Sequence, residues 1–233
     1  MLSVQGLQAQ YGRAQVLNDV SFDLAAGEAR VLLGRNGAGK STVLKSLIGL
    51  VRPSAGAVMF MGRNIAGLAP WRIARLGLGY VPEERRIFTE LTVAENLEVG
   101  RRQVRAGDGA WTPERLFALF PNLAEMRDRL GGHISGGEQQ MLSIARTLMG
   151  NPQMMLLDEP SEGLAPLVLE QLARALTALR QDGVTMLMAE QNVSFAARVA
   201  DQAVVIEAGR TVWDGSVAEL QADAEVRDRY LAV

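Results

Sequence analysis

Apolar positions along the chain recur with two periods. Short strand-like runs come first, at residues 2–10 and 16–24, and the run at 28–33 leads straight into Gly34. An apolar run of that length ended by glycine reads as a buried strand feeding a loop. Residues 42–50 carry helical spacing, and 57–61 and 77–81 read as strands, the second closed by Pro82. From 84 to 129 the texture changes to charged and helix-forming residues, with turn signals at Gly107 to Gly109 and at Pro121, as in a mostly helical lobe. Residues 136–149 predict a helix stopped by Gly150, Asn151 and Pro152. Strand, helix, strand, helix, strand then follow at 154–158, 166–180, 184–189, 192–200 and 202–207. Such alternation predicts a largely parallel sheet covered by helices.

Composition narrows this picture only in places. The chain has 233 residues, almost half of them apolar, which suits one α/β domain with a large core. Its net charge of −2 gives no basic face for nucleic acid, and no nucleic-acid partner is expected. Without cysteine there are no disulfides or thiolate metal sites. The first ten residues lack the basic-then-apolar pattern of a leader. No apolar run approaches the roughly 20 residues that span a bilayer. A cytoplasmic location is expected, and any membrane work requires other chains to supply the spanning part.

Lys40 and Lys45 are the only lysines. Lys40 lies in Gly34-Arg35-Asn36-Gly37-Ala38-Gly39-Lys40-Ser41-Thr42, the pattern G-x-x-x-x-G-K-[ST] between an apparent strand and an apparent helix. Phosphate oxygens need several backbone N–H groups aimed at one point, and a glycine-rich loop ahead of a positive helix end supplies them. Lys40 is expected to reach the β- and γ-phosphates, and Ser41 to place its hydroxyl on Mg²⁺. Further along, Met154-Met155-Leu156-Leu157-Asp158-Glu159 is an apolar strand ended by two acids. Paired with a phosphate loop, Asp158 is expected to hold Mg²⁺ and Glu159 to orient or deprotonate the attacking water.

A third element is Ser135-Gly136-Gly137-Glu138-Gln139-Gln140 at a helix start. A capping box by Ser135 and Glu138 explains its ends. The two glycines, which weaken a helix, make sense if an anion approaches the bare backbone. This stretch resembles the signature sequence of the ABC ATPase family, and the resemblance covers nearly the whole chain. It implies a P-loop NTPase (RecA-like) core of mostly parallel sheet, with an N-terminal antiparallel β part and an inserted α-helical subdomain. The core would be residues 1–83 and 151–233, and the helical part 84–150. The resemblance also implies head-to-tail pairing with a second ATPase subunit, either a copy or a paralogue. Ser135, Gly136, Gly137 and Glu138 of one chain would then cap the ATP held by the other.

Other positions take roles from the same resemblance. Tyr11 stands where the family stacks an aromatic ring on adenine, with Val16 beside it, although a strand tyrosine also buries for packing alone. Glu83 replaces the usual glutamine near Mg²⁺. A carboxylate can bind Mg²⁺ but cannot donate a hydrogen bond. Gln191 stands at the switch position usually held by histidine; it can donate to the γ-phosphate but cannot carry a proton. His133, the sole histidine, is expected at the surface. The turn Ser161-Glu162-Gly163-Leu164-Ala165-Pro166 resembles the loop that links the two active sites, with Ala165 in place of a common aspartate. Together these departures look like the LivF-type ATPases of branched-chain amino acid importers. Relatives serving urea and short-chain amides share the Gly34-Arg35-Asn36 opening and stay as an alternative. The resemblance implies ATP and Mg²⁺ as ligands, two membrane-spanning permease subunits as partners and an external solute-binding protein. Arg85, Arg86, Arg101 and Arg102 could contact a permease or form a solvated charged face.

Overall fold

A computed structural model of the chain describes residues 1–102, 109–226 and 229–230. Ten strands form one sheet in the order β5-β4-β1-β2-β10-β9-β3-β8-β7-β6. On one side β1 (Leu2–Tyr11), β2 (Ala14–Leu24), β4 (Pro53–Phe60) and β5 (Arg63–Asn64) pair antiparallel. On the other, β3 (Ala29–Leu33), β6 (Leu78–Val81), β7 (Met154–Asp158), β8 (Thr185–Glu190) and β9 (Gln202–Glu207) are parallel. β10 (Arg210–Ser216) runs antiparallel to β9 and joins the two halves through a parallel pairing with β2.

Every residue of β7 and β8 is buried, as expected of parallel strands covered on both faces. The two-residue period sends alternate side chains into two cores. Leu32, Leu156 and Leu187 meet Val43, Leu44 and Leu47 of α1 (Lys40–Leu47) and Leu7 and Leu17 of the antiparallel layer. Val31, Met155, Leu157 and Met188 face Leu142, Leu148, Leu172 and Leu176 of α6 (Gly136–Leu148) and α7 (Pro166–Gln181). One helix is thus sandwiched between sheet layers, with its N-terminus held at the C-terminal ends of the parallel strands.

Between β6 and β7 the described chain is helical: α3 (Val93–Gly100), α4 (Pro113–Leu119), α5 (Pro121–Glu125) and α6. The turn expected at Gly107 to Gly109 lies, except for Gly109, outside the described residues. The helix expected at 42–50 begins at Lys40 and ends at Leu47, because Gly39 takes its N-cap and Gly49 turns the chain with φ +82°. The sequence patterns did not predict α2 (Pro70–Arg75), β5, β10 or α9 (Val217–Ala222). β5, α2 and α9 span six residues or fewer, too short to show a period, and β10 has no fully buried residue to mark it.

Candidate nucleotide site

The glycine-rich loop spans the gap from β3 to α1. Gly39 sits at φ +110°, and a Cβ there would fall 2.7 Å from Cδ2 of Leu17, so both conformation and space require glycine. No side chain caps α1 and no acid stands in its first turn, which leaves that positive helix end free for an anion. Lys40 is 3% exposed. Its Nζ donates to the carbonyls of Gly34 at 3.0 Å and Arg35 at 3.3 Å, and lies 3.4 Å from Oε1 of Glu159.

Asp158 ends β7 and is fully buried. Its Oδ2 accepts from the Tyr80 hydroxyl at 2.9 Å, whereas Oδ1 is buried with no partner. Burial raises the Asp158 pKa against the hydroxyls of Ser41 and Tyr80 and the charge of Lys45. Burial and the Asp158 charge also raise the Tyr80 pKa, so its phenol stays a donor. The Glu83 pKa is raised first by partial loss of solvent and then by the negative charges of Glu162, Glu159 and Asp158. An unpaired carboxylate oxygen in a cluster of acids fits a cation. Among the described residues no cluster of three or more metal-binding side chains stands ready.

Glu159 has φ +44°, and its backbone N–H bonds the carbonyl of Ala189. Its Oε2 accepts from Nε2 of Gln191 at 2.6 Å. Lys40, Glu159 and Gln191 therefore form one cluster at the strand ends. Val16 borders the loop, its carbonyl 3.6 Å from where a Gly39 Cβ would be. Tyr11 is 49% exposed at the β1–β2 hairpin, where it pairs with Ala14, and so is not a core tyrosine. Gly34, Arg35, Asn36, Gly37, Ala38, Ser41 and Thr42 complete the loop and first turn.

Ser135 and Glu138 make the capping box of α6: Ser135 Oγ accepts from the Glu138 N–H at 3.3 Å, and Glu138 Oε2 accepts from the Ser135 N–H at 2.6 Å. Gly137 has a packing reason as well, since a Cβ there would overlap Val168 of α7. A Cβ on Gly136 would lie 2.6 Å from Nη1 of Arg85. Ser135 is exposed, and among the described residues no hydrogen bond or ion pair joins 135–138 to 34–42. His133 is exposed too. Of the four arginines, Arg86 and Arg102 line a groove of about 640 Å³ between the sheet and the helical segment. Arg101 is taken up by Glu98 at 2.6 Å, and Arg85 packs on Gly136. Leu50, Trp71, Phe88 and Val99 give that groove an exposed apolar lining.

The family pattern described as ABC transporter matches residues 17–162. The chain belongs to the ABC transporter family. It is an ATP-hydrolysing subunit of such a transporter, with the P-loop NTPase fold. It is 42% identical over 231 residues to the high-affinity branched-chain amino acid transport ATP-binding protein BraG of Pseudomonas aeruginosa, covering 99% of each chain. It is 34% identical to the lipopolysaccharide export system ATP-binding protein LptB of Haemophilus influenzae, covering 99% of this chain and 97% of that one. A solved ATP-binding subunit of an ABC transporter superposes with a TM-score of 0.82 at 29% identity, covering 99% and 96% of the two chains. Sequence reasoning missed two contributors to the site, Tyr80 and Glu190. Glu190 had a readable signal: like Asp158, it is an acid ending an apolar strand.

Proposed function

We propose that this chain energises the import of branched-chain amino acids as one half of a two-chain ATP site. The observation that carries the reading is Glu159, held between Lys40 and Gln191 beside the unpaired oxygen of Asp158. In this reading the loop N–H groups and Lys40 bind the β- and γ-phosphates of ATP. When Lys40 turns to the phosphates, Glu159 is released to take a proton from the attacking water. Gln191 orients that carboxylate. Ser41 and Asp158, with Glu83 nearby, would hold Mg²⁺, which neutralises phosphate charge. Tyr11 and Val16 offer a surface for the adenine ring. Ser135 to Glu138 of a second ATPase chain close the site from the far side.

Among the described residues no helix is long and apolar enough to cross a membrane. We place the chain on the inner face of the membrane, held there by two permeases, with an external solute-binding protein delivering cargo. The apolar groove with Arg86 and Arg102 at its edge suits a short amphipathic helix from a permease. The cargo follows BraG, whose identity to this chain exceeds that of LptB. The primary test is Glu159→Gln. The variant should bind ATP as tightly as wild type and hydrolyse it at least about 10²-fold more slowly, the usual weight of a positioned base. Near-normal turnover would remove Glu159 from this role.

A further inference from the structure

Glu190, the last residue of β8, is 2% exposed and makes no ion pair among the described residues. A buried carboxylate without a cation is costly unless hydrogen bonds compensate. Here all the compensation comes from two short segments. Oε1 accepts from the backbone N–H of Ser161 at 2.9 Å. Oε2 accepts from the Ser161 hydroxyl at 2.8 Å and from the backbone N–H groups of Gln191 at 3.2 Å and Asn192 at 3.4 Å. The first segment opens the turn that follows Glu159. The second begins with Gln191, whose amide holds Glu159 at 2.6 Å.

We propose that Glu190 is a positioning residue that locks the 161–165 turn to Gln191, so that displacement of the turn by an adjoining ATPase chain is carried to Glu159. This rests on reading the turn as part of a two-chain site. The linkage is short and contiguous: turn, carboxylate, switch residue, catalytic carboxylate. The chemistry of the pocket also makes it selective. Three of the four groups facing Glu190 are backbone N–H donors, which cannot become acceptors. A glutamine of the same shape must set its own donor against one of them in either orientation.

The test compares wild type, Glu190→Gln, Ser161→Ala and the double variant in the complex purified from membranes through this chain. Binding of a fluorescent ATP analogue should stay within about twofold of wild type, while kcat falls about tenfold in each single variant and KM stays put, the pattern of a lost transition-state contribution. The double variant should be no slower than the worse single one, because both cut the same link. A folded Glu190→Gln with wild-type kcat would overturn the proposal. So would additive losses, or a loss of nucleotide affinity matching the loss of kcat. If circular dichroism shows Glu190→Gln unfolded, Ser161→Ala decides by the same criterion. Unchanged hydrolysis in Ser135→Arg would overturn the two-chain reading and the proposal with it, whereas wild-type kcat in Glu190→Gln overturns the proposal alone, so the two failures are distinguishable.

Discussion

Glu190 shows how a single side chain ties chemistry to stability. Burial pushes its pKa up to about 7 from an ordinary 4.5, against the pull of its hydrogen bonds. The folded chain therefore keeps a proton that the unfolded chain has already released between those values. This contribution to stability is fully present below the unfolded pKa and is lost as pH rises through the folded one. The urea midpoint of wild type should fall from pH 6 to pH 8 by more than that of Glu190→Gln; equal falls would show that Glu190 does not titrate there. At this scale the sequence was legible wherever a residue's chemistry is tied to a pattern. Lys40 reaches Glu159, and Asp158 precedes Glu159 at the end of β7, because a glycine loop and an acid-ended strand lead there. Tyr80 was not legible, because nothing in a strand tyrosine says that its hydroxyl will meet Asp158 across the neighbouring strand.

Among the elements, α6 shows why local reading succeeds only in part. Its capping box is written in Ser135 and Glu138 and forms as the spacing predicts. The crowding of Gly137 by Val168 is not written locally, since α7 arrives from about thirty residues further on. Gly137→Ala should push α6 away from α7 and destabilise the chain by about 1–3 kcal/mol, the usual cost of overpacking. Val168→Ala in the same chain should restore most of that loss in a denaturant titration. A Gly137→Ala variant as stable as wild type would mean that this contact relaxes freely. The long buried strands β7 and β8 were legible because continuous apolar runs leave few alternatives. The strand β10, which joins the two halves of the sheet, was not, because it has no fully buried residue and includes the charged Arg210 and Asp214.

For the whole molecule, the shape of the site matters more than any one residue. The chain carries a phosphate loop, the carboxylate proposed as the base and a signature helix, and among the described residues no hydrogen bond or ion pair joins the signature to the loop. The family, the parallel core and the helical insertion were all readable from motif order along the sequence. How two chains would meet rests on the family resemblance alone, because exposed Ser135 by itself looks like any solvated helix cap. The most direct test is Ser135→Arg, measured in the complex purified from membranes through this chain. Arginine there would block the face offered to the other chain's ATP and leave this chain's own phosphate loop intact. ATP binding by this chain's loop should be retained while hydrolysis by the complex falls by more than half. Unchanged hydrolysis in Ser135→Arg would contradict a site shared between two chains.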